Sequence, residues 1–220
     1  NFLLSFLQTL WSPSGGWNAD SANILKQMIR DFSISRKDIP EKPVFNDLRQ
    51  FIISEVAPKV HSREGYICDS VPATGDRIDI DGLILAMGDY AEGGAFGFLL
   101  NDRSPRDLFS SRFTVFEVDK LSGINDSKFY SLCILCIMNS FNARMRSTSG
   151  MKVMVIEEAW KAIANETMSG YLAGLWKTAR KFQTSAVVVT QQVSDIMSSQ
   201  VIRDTILQNS ATKILLSQDS

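Results

Sequence analysis

Two adjacent carboxylates, Glu157 and Glu158, follow directly on the apolar run Val153-Met154-Val155-Ile156 and precede Ala159-Trp160. A short run of β-branched and apolar residues reads as a buried strand, so both acids emerge at its carboxyl end. Acids placed there suit phosphoryl transfer: the first helps hold Mg²⁺, usually through water, and the second polarises the water that attacks a γ-phosphate. The plainer alternative is that they open a solvated helix, where they complement its dipole and need no metal. A later run, Ala186-Val187-Val188-Val189-Thr190, delivers Gln191 and Gln192 at its end. If the two runs are neighbours, the Gln191 amide lies beside the acids and can sense the γ-phosphate or orient water; otherwise it is a solvated loop residue. Just upstream, Thr178-Ala179-Arg180-Lys181 brings two cations near the end of a helix. A phosphoryl-transfer transition state needs a cation, which in rings often comes from a neighbouring subunit, although helix ends also attract cations for dipole reasons alone. Arg203 is a weaker candidate of the same kind.

The elements that must hold these residues can be read from periodicity. Four strand-like runs occur at 113–118, 152–156, 186–190 and 213–216, separated by helix-length segments at 128–146, 171–182 and 199–208. Apolar strands alternating with helices mean an α/β fold, a mostly parallel sheet with helices on both faces, whose active groups gather at the carboxyl ends of the strands. The first sixty residues read differently. Phe2, Leu3, Phe6, Leu7 and Leu10 recur at helical spacing; Ile24, Leu25, Met28, Ile29 and Phe32 do so again; and Phe45, Leu48, Phe51, Ile52 and Val56 form a third set that Pro58 is expected to end. The expected organisation is therefore an all-helical appendage over 1–62 and an α/β region over 63–220. Between them, the Gly- and Asp-rich stretch 65–105 suits loops around a short helix within 80–90. Gly93-Gly94-Ala95-Phe96-Gly97 has the glycines of a phosphate cradle, but no Lys-Ser or Lys-Thr follows, and it reads as a turn.

Bulk properties exclude several classes. With 45% hydrophobic and 21% charged residues the chain has the composition of a packed protein. Twenty-three basic against twenty-four acidic side chains give a net charge of −1, so no global positive field advertises nucleic-acid binding. The cysteines are three, Cys68, Cys133 and Cys136, and His61 is the single histidine. No second Cys or His pair completes a zinc set around Cys133 and Cys136, which read as buried thiols on a helix. No apolar stretch approaches the ~20 residues of a membrane span, and a cytoplasmic setting is expected. The first residue is Asn1, and a piece of a longer chain is expected.

In this order, RFTVFEVDKL at 112–121, VMVIEEAW at 153–160, TARKFQTSAVVVTQQ at 178–192 and ILQNSATKILLS at 206–217 resemble the C-terminal ATPase region of TraG-type conjugative transposon proteins, the large ATPases of type IV secretion systems. The resemblance runs from about Tyr90 to the last residue, and the helical opening is similar to the appendage those proteins carry. It implies a RecA-like P-loop NTPase core, ATP with Mg²⁺, a homo-hexamer, and a cytoplasmic location at the inner-membrane face beside the conjugation channel proteins. By this resemblance Glu157 matches the acid on the Mg²⁺ side, where many relatives have Asp, and Glu158 the catalytic acid. Gln191 matches the phosphate-sensing amide, and Arg180 with Lys181 the basic motif before that strand. One family element is absent: no Gly-x-x-x-x-Gly-Lys-Ser/Thr occurs in these 220 residues. The RecA-like core is thus expected to be incomplete, its phosphate-binding loop lying upstream, and the fragment alone neither to bind ATP tightly nor to hydrolyse it. The implied function is an ATPase energising channel assembly or DNA or protein transfer. Two alternatives remain: a DNA translocase of the FtsK or coupling-protein kind, disfavoured by the lack of a Lys/Arg-rich run, and a non-enzymatic interaction module. Whether the motor itself touches DNA is left open.

Overall fold

The computed structural model describes residues 2–12, 19–62, 65–66, 78–104, 107–118, 120–121, 127–157, 166–192, 194 and 200–216. They fall into two compact units, Asn1–Asp107 and Leu108–Ser220.

The first unit is helical. In α1 (Phe2–Leu10) the residues Phe6, Leu7 and Leu10 are buried, and in α2 (Ala19–Ser35) so are Ile24, Leu25, Met28 and Phe32, the faces that helical spacing requires. Phe6 anchors the core, its ring 5.5 Å from that of Phe45 and 6.2 Å from that of Tyr90. α3 (Phe45–Phe51) runs without a break through a π-helical turn (Ile52–Val56) into α4 (Ala57–Ser62). Pro58 therefore does not end the helix. A proline lacks the N–H for the normal ladder, and its ring crowds the carbonyl four residues back. The π turn, in which the Ala57 N–H reaches back five residues to the Ile52 carbonyl, widens the coil just ahead of it.

Residues 78–107 belong to this unit as well. α5 (Ile80–Ala86), capped by the Asp79 carboxylate on the Gly82 N–H, leads through a short 3₁₀ turn to the buried Tyr90. The following loop returns to α3: the Phe45 N–H donates to the Leu100 carbonyl at 3.2 Å, and the Asn46 N–H to Asn101 Oδ1 at 2.8 Å. Asp47 ties three segments together. Its carboxylate accepts from the Arg103 guanidinium at 3.0 and 3.1 Å, from Arg36 at 3.4 Å and from the Val44 N–H at 3.0 Å. Burial works against the charge on Asp47, but the Arg103 hydrogen bonds, the Val44 N–H and the two guanidiniums outweigh it and hold the carboxyl below the usual carboxylate range.

The second unit carries the α/β character. α6 (Ser127–Ser147) buries Phe129, Leu132, Leu135, Met138 and Met145. Cys133 and Cys136 lie on the same helix, and burial pushes their thiols up to about 11 and about 12 respectively. β1 (Lys152–Ile156), α7 (Glu166–Ala179) and β2 (Thr184–Val188) form a β-α-β unit, with α8 (Gln200–Asn209) packed on α7. The two strands pair in parallel, Lys152 opposite Thr184 and Ile156 opposite Val188.

Among the described residues this is the whole sheet. The expected strands at 113–118 and 213–216 join no ladder among the described residues. A β-rich segment becomes a strand only when a neighbour supplies the other half of its hydrogen bonds, and neither segment has one here. Alternate residues of the sheet show the same want of neighbours. Met154, Ile156, Ala186 and Val188 are half-buried on one face, whereas Val153 (58% exposed), Val155 (55%), Val187 (41%) and Val189 (46%) lie bare on the other. Among the described residues no helix is long and apolar enough to cross a membrane.

Candidate functional site at the carboxyl edge of the sheet

The strand directions decide which candidate residues meet. Ile156 and Val188 are paired, and the ladder continues one step further, with the Val189 N–H donating to the Ile156 carbonyl at 2.9 Å. Glu157 leaves β1 at this end, and Gln191 leaves β2 three residues beyond Val188 at the same end. Both side chains are exposed. The turn that carries Gln191 is shaped by its neighbours: the Thr190 hydroxyl donates to the Gln192 carbonyl at 3.2 Å, and the Ser194 hydroxyl to the Gln192 side-chain oxygen at 3.2 Å. Gln192 is thus occupied in the turn, while no described residue claims the Gln191 amide by hydrogen bond. Glu158 lies outside the described residues.

Arg180 and Lys181 stand elsewhere. They occupy a 3₁₀ turn (Arg180–Phe182) that ends α7 and precedes β2, with Gln183 in the left-handed region at φ 53°. The Lys152 N–H donates to the Gln183 carbonyl at 3.0 Å, which fixes this turn at the amino edge of the sheet. Lys152 Nζ secures it from the other side, donating to the Thr148, Gly150 and Phe182 carbonyls, and the Arg146 guanidinium lies 4.8 Å from the Phe182 ring centre. Arg180 and Lys181 themselves remain exposed. Five strand residues at ~3.3 Å each separate the two edges by about 16 Å, beyond the span over which two side chains act on one phosphate. The structure brings Glu157 and Gln191 to one edge and keeps Arg180 and Lys181 at the other. Arg203 lies on α8, its Nε 3.2 Å from the Asp204 carboxylate.

Among the described residues no three His, Cys, Asp or Glu side chains gather to hold a metal ion. Glu157, the one carboxylate described at this strand tip, fits a cation held through its water shell rather than one gripped by several direct ligands. The carboxyl edge therefore carries an exposed acid, Glu157, and an exposed neutral amide, Gln191.

Residues 3–220 match the profile of the TraG P-loop domain. The chain belongs to that family. Among curated proteins it is similar to the type IV secretion system protein CagE of Helicobacter pylori, with 26% identity over 147 residues; the match takes in 66% of this chain and 14% of CagE. The chain thus spans far less than the length of that relative. Among solved structures it is similar to VirB4 of Thermoanaerobacter pseudethanolicus, at a TM-score of 0.62 and 16% identity, covering 93% of this chain and 67% of the other. The VirB4 likeness carries the fold: an incomplete α/β P-loop core with a helical unit, as the strand and helix runs of the sequence imply.

Proposed function

We propose that the whole protein is an ATPase of a bacterial type IV secretion or conjugation apparatus and that the carboxyl edge of β1 and β2 is its γ-phosphate end. The observation that supports this reading is the parallel pairing of Ile156 with Val188, after which Glu157 and Gln191 both follow at the carboxyl edge, in a chain of the TraG P-loop family. Glu157 holds Mg²⁺ through its water shell, and the ion, when bound, neutralises charge on the β- and γ-phosphates. Glu158, the next residue along, takes up the proton of the attacking water, and the Gln191 amide orients that water without adding charge. Arg180 and Lys181, at the opposite edge of their own subunit's sheet, serve the nucleotide of a neighbour in a homo-hexameric ring. The phosphate-binding loop of the whole protein meets this same carboxyl edge, and further elements of the whole protein cover the bare valine face, since a parallel sheet is stable only when both faces are covered. The complete motor sits at the cytoplasmic face of the inner membrane with the channel proteins and energises assembly or transfer.

The test is Glu158→Gln in the full-length protein. The expected outcome is ATP turnover reduced at least about a hundredfold and transfer frequency lost, with the purified protein still folded. Unchanged turnover and transfer would leave only a binding module. The 220-residue chain alone is expected to show no Mg-ATP binding by titration calorimetry.

A further inference from the structure

The glycine-rich loop that the sequence sets apart from a phosphate cradle has a shape of its own. Loop 91–102 forms an open, shallow depression of about 300 Å³ lined by Gly93, Gly94 and Gly97 together with Glu92, Phe98, Asn101 and Asp102. The floor is rigid. The Phe96 N–H donates to the Asp89 carbonyl at 2.7 Å, the Gly94 N–H to the Ala91 carbonyl at 3.0 Å, and the Gly97 N–H to the Gly94 carbonyl at 3.1 Å. Asn101 clamps it from beneath, its amide donating to the Tyr90 and Gly97 carbonyls at 2.8 and 2.7 Å while its oxygen accepts from the Asn46 N–H. On this platform Phe98 stands 74% exposed. A large aromatic side chain held out to solvent on a rigid loop loses little freedom on binding and is the kind of residue that anchors an interface.

The charges beside it select the partner. Two carboxylates repel an anion, so the glycine floor does not serve phosphate. Arg103, next to Asp102 in sequence, is already engaged: its guanidinium bonds Asp47 twice, the Lys42 carbonyl at 2.9 Å and Glu41 at 3.1 Å, and it acts on Glu92 only through its charge. Asp102 is oriented by the Ser104 N–H at 2.8 Å on Oδ1, leaving its second oxygen to accept. We propose that loop 91–102 is a docking cup for an arginine side chain of a partner protein, its planar guanidinium lying on the Phe98 ring and donating to Glu92 and Asp102. Arginine suits the site better than lysine because its plane stacks on the ring while its edge meets the carboxylates.

The experiment uses the full-length protein labelled with 4-fluorophenylalanine, the Phe98 resonance being assigned by its loss in Phe98→Leu, and titrates acetyl-Gly-Arg-Gly-amide. The expected result is saturable movement of that resonance with a dissociation constant on the order of millimolar, as one cation–π contact and two exposed charge pairs supply. The norleucine peptide should produce none and the lysine peptide a several-fold weaker response. Glu92→Gln with Asp102→Asn should weaken the arginine peptide about tenfold. Absence of saturation, equal response to lysine or norleucine, or undiminished affinity in the double variant would each overturn the assignment.

Discussion

The separation of Arg180 from Glu157 can be tested without knowing any transported substrate. In the proposed ring, an acid edge in one subunit works with a basic turn from the next, because about 16 Å of strand stands between them within a subunit. Arg180→Ala and Glu158→Gln should each silence the full-length ATPase; loss of a transition-state arginine alone costs about a thousandfold or more. Arg180 is exposed and lies in a turn held by backbone and by Lys152, so its removal leaves the fold intact. The two dead variants are then mixed as equal parts of monomer and allowed to assemble. Half the subunits retain the acid and half the arginine, so about a quarter of the junctions join a working acid to a working arginine from its neighbour. If arginine and acid served one nucleotide within a single subunit, no junction would be active. The assay is steady-state phosphate release, with native mass spectrometry confirming mixed rings. Mixed rings no more active than either parent would refute the trans arrangement.

Three further outcomes follow from the packing. Val155→Ser should change the stability of the 220-residue chain by no more than about 0.5 kcal/mol, because the side chain is already bare, but should cost the full-length protein about 1.5–3 kcal/mol, because there the face is covered; urea denaturation of both reads the difference. Gly94→Ala should destabilise the helical unit by about 2 kcal/mol or more, since a Cβ there meets the backbone carbonyls of Gly88 and Asp89 well inside van der Waals contact, and hydrogen exchange of the 91–102 amides would show the loosening. Asp47→Ala should cost about 1–2 kcal/mol by removing a helix-start acceptor and a two-arginine partner. The folded carboxyl titrates below its unfolded value, so its contribution is present at neutral pH and lost as pH falls through the folded pKa. Asp47→Asn should therefore flatten that acid limb of the stability profile.

Much of this arrangement was legible in residue order. The 3.6-residue spacing of Ile24, Leu25, Met28 and Phe32 marks a face that is indeed buried, and the run Val153–Ile156 ends where β1 ends. The split between Glu157 and Arg180 was also present in the sequence: a residue before a strand and a residue after it cannot share an edge, and Arg180 precedes the strand that Gln191 follows. The start of β2 was less legible, because it depends on Gln183 adopting a left-handed turn that lets its carbonyl meet the Lys152 N–H. Passage of the helix through Pro58 was illegible, since it requires a π turn that no residue pattern announces. Attachment of residues 78–107 to the helical unit was hidden for a different reason: it rests on Tyr90 and Asn101, single residues whose partners lie tens of positions away.

The unpaired segments 113–118 and 213–216 follow from the same distinction between local and distant causes. Their residue types state a preference for extended backbone, but neither segment enters a ladder among the described residues. A ladder, however, is a property of two segments, and a parallel one is stable only within a covered sheet. Two parallel strands alone are marginal, and β1 and β2 persist because α7 packs against β2 while α6 and α8 pack against α7. The far face has no such support, and there the valines are bare. The bare face and the two apolar runs that join no ladder among the described residues stand in the same unit. The four strand runs of the sequence thus state a local preference, and the single β1–β2 ladder shows the two that find each other among the described residues.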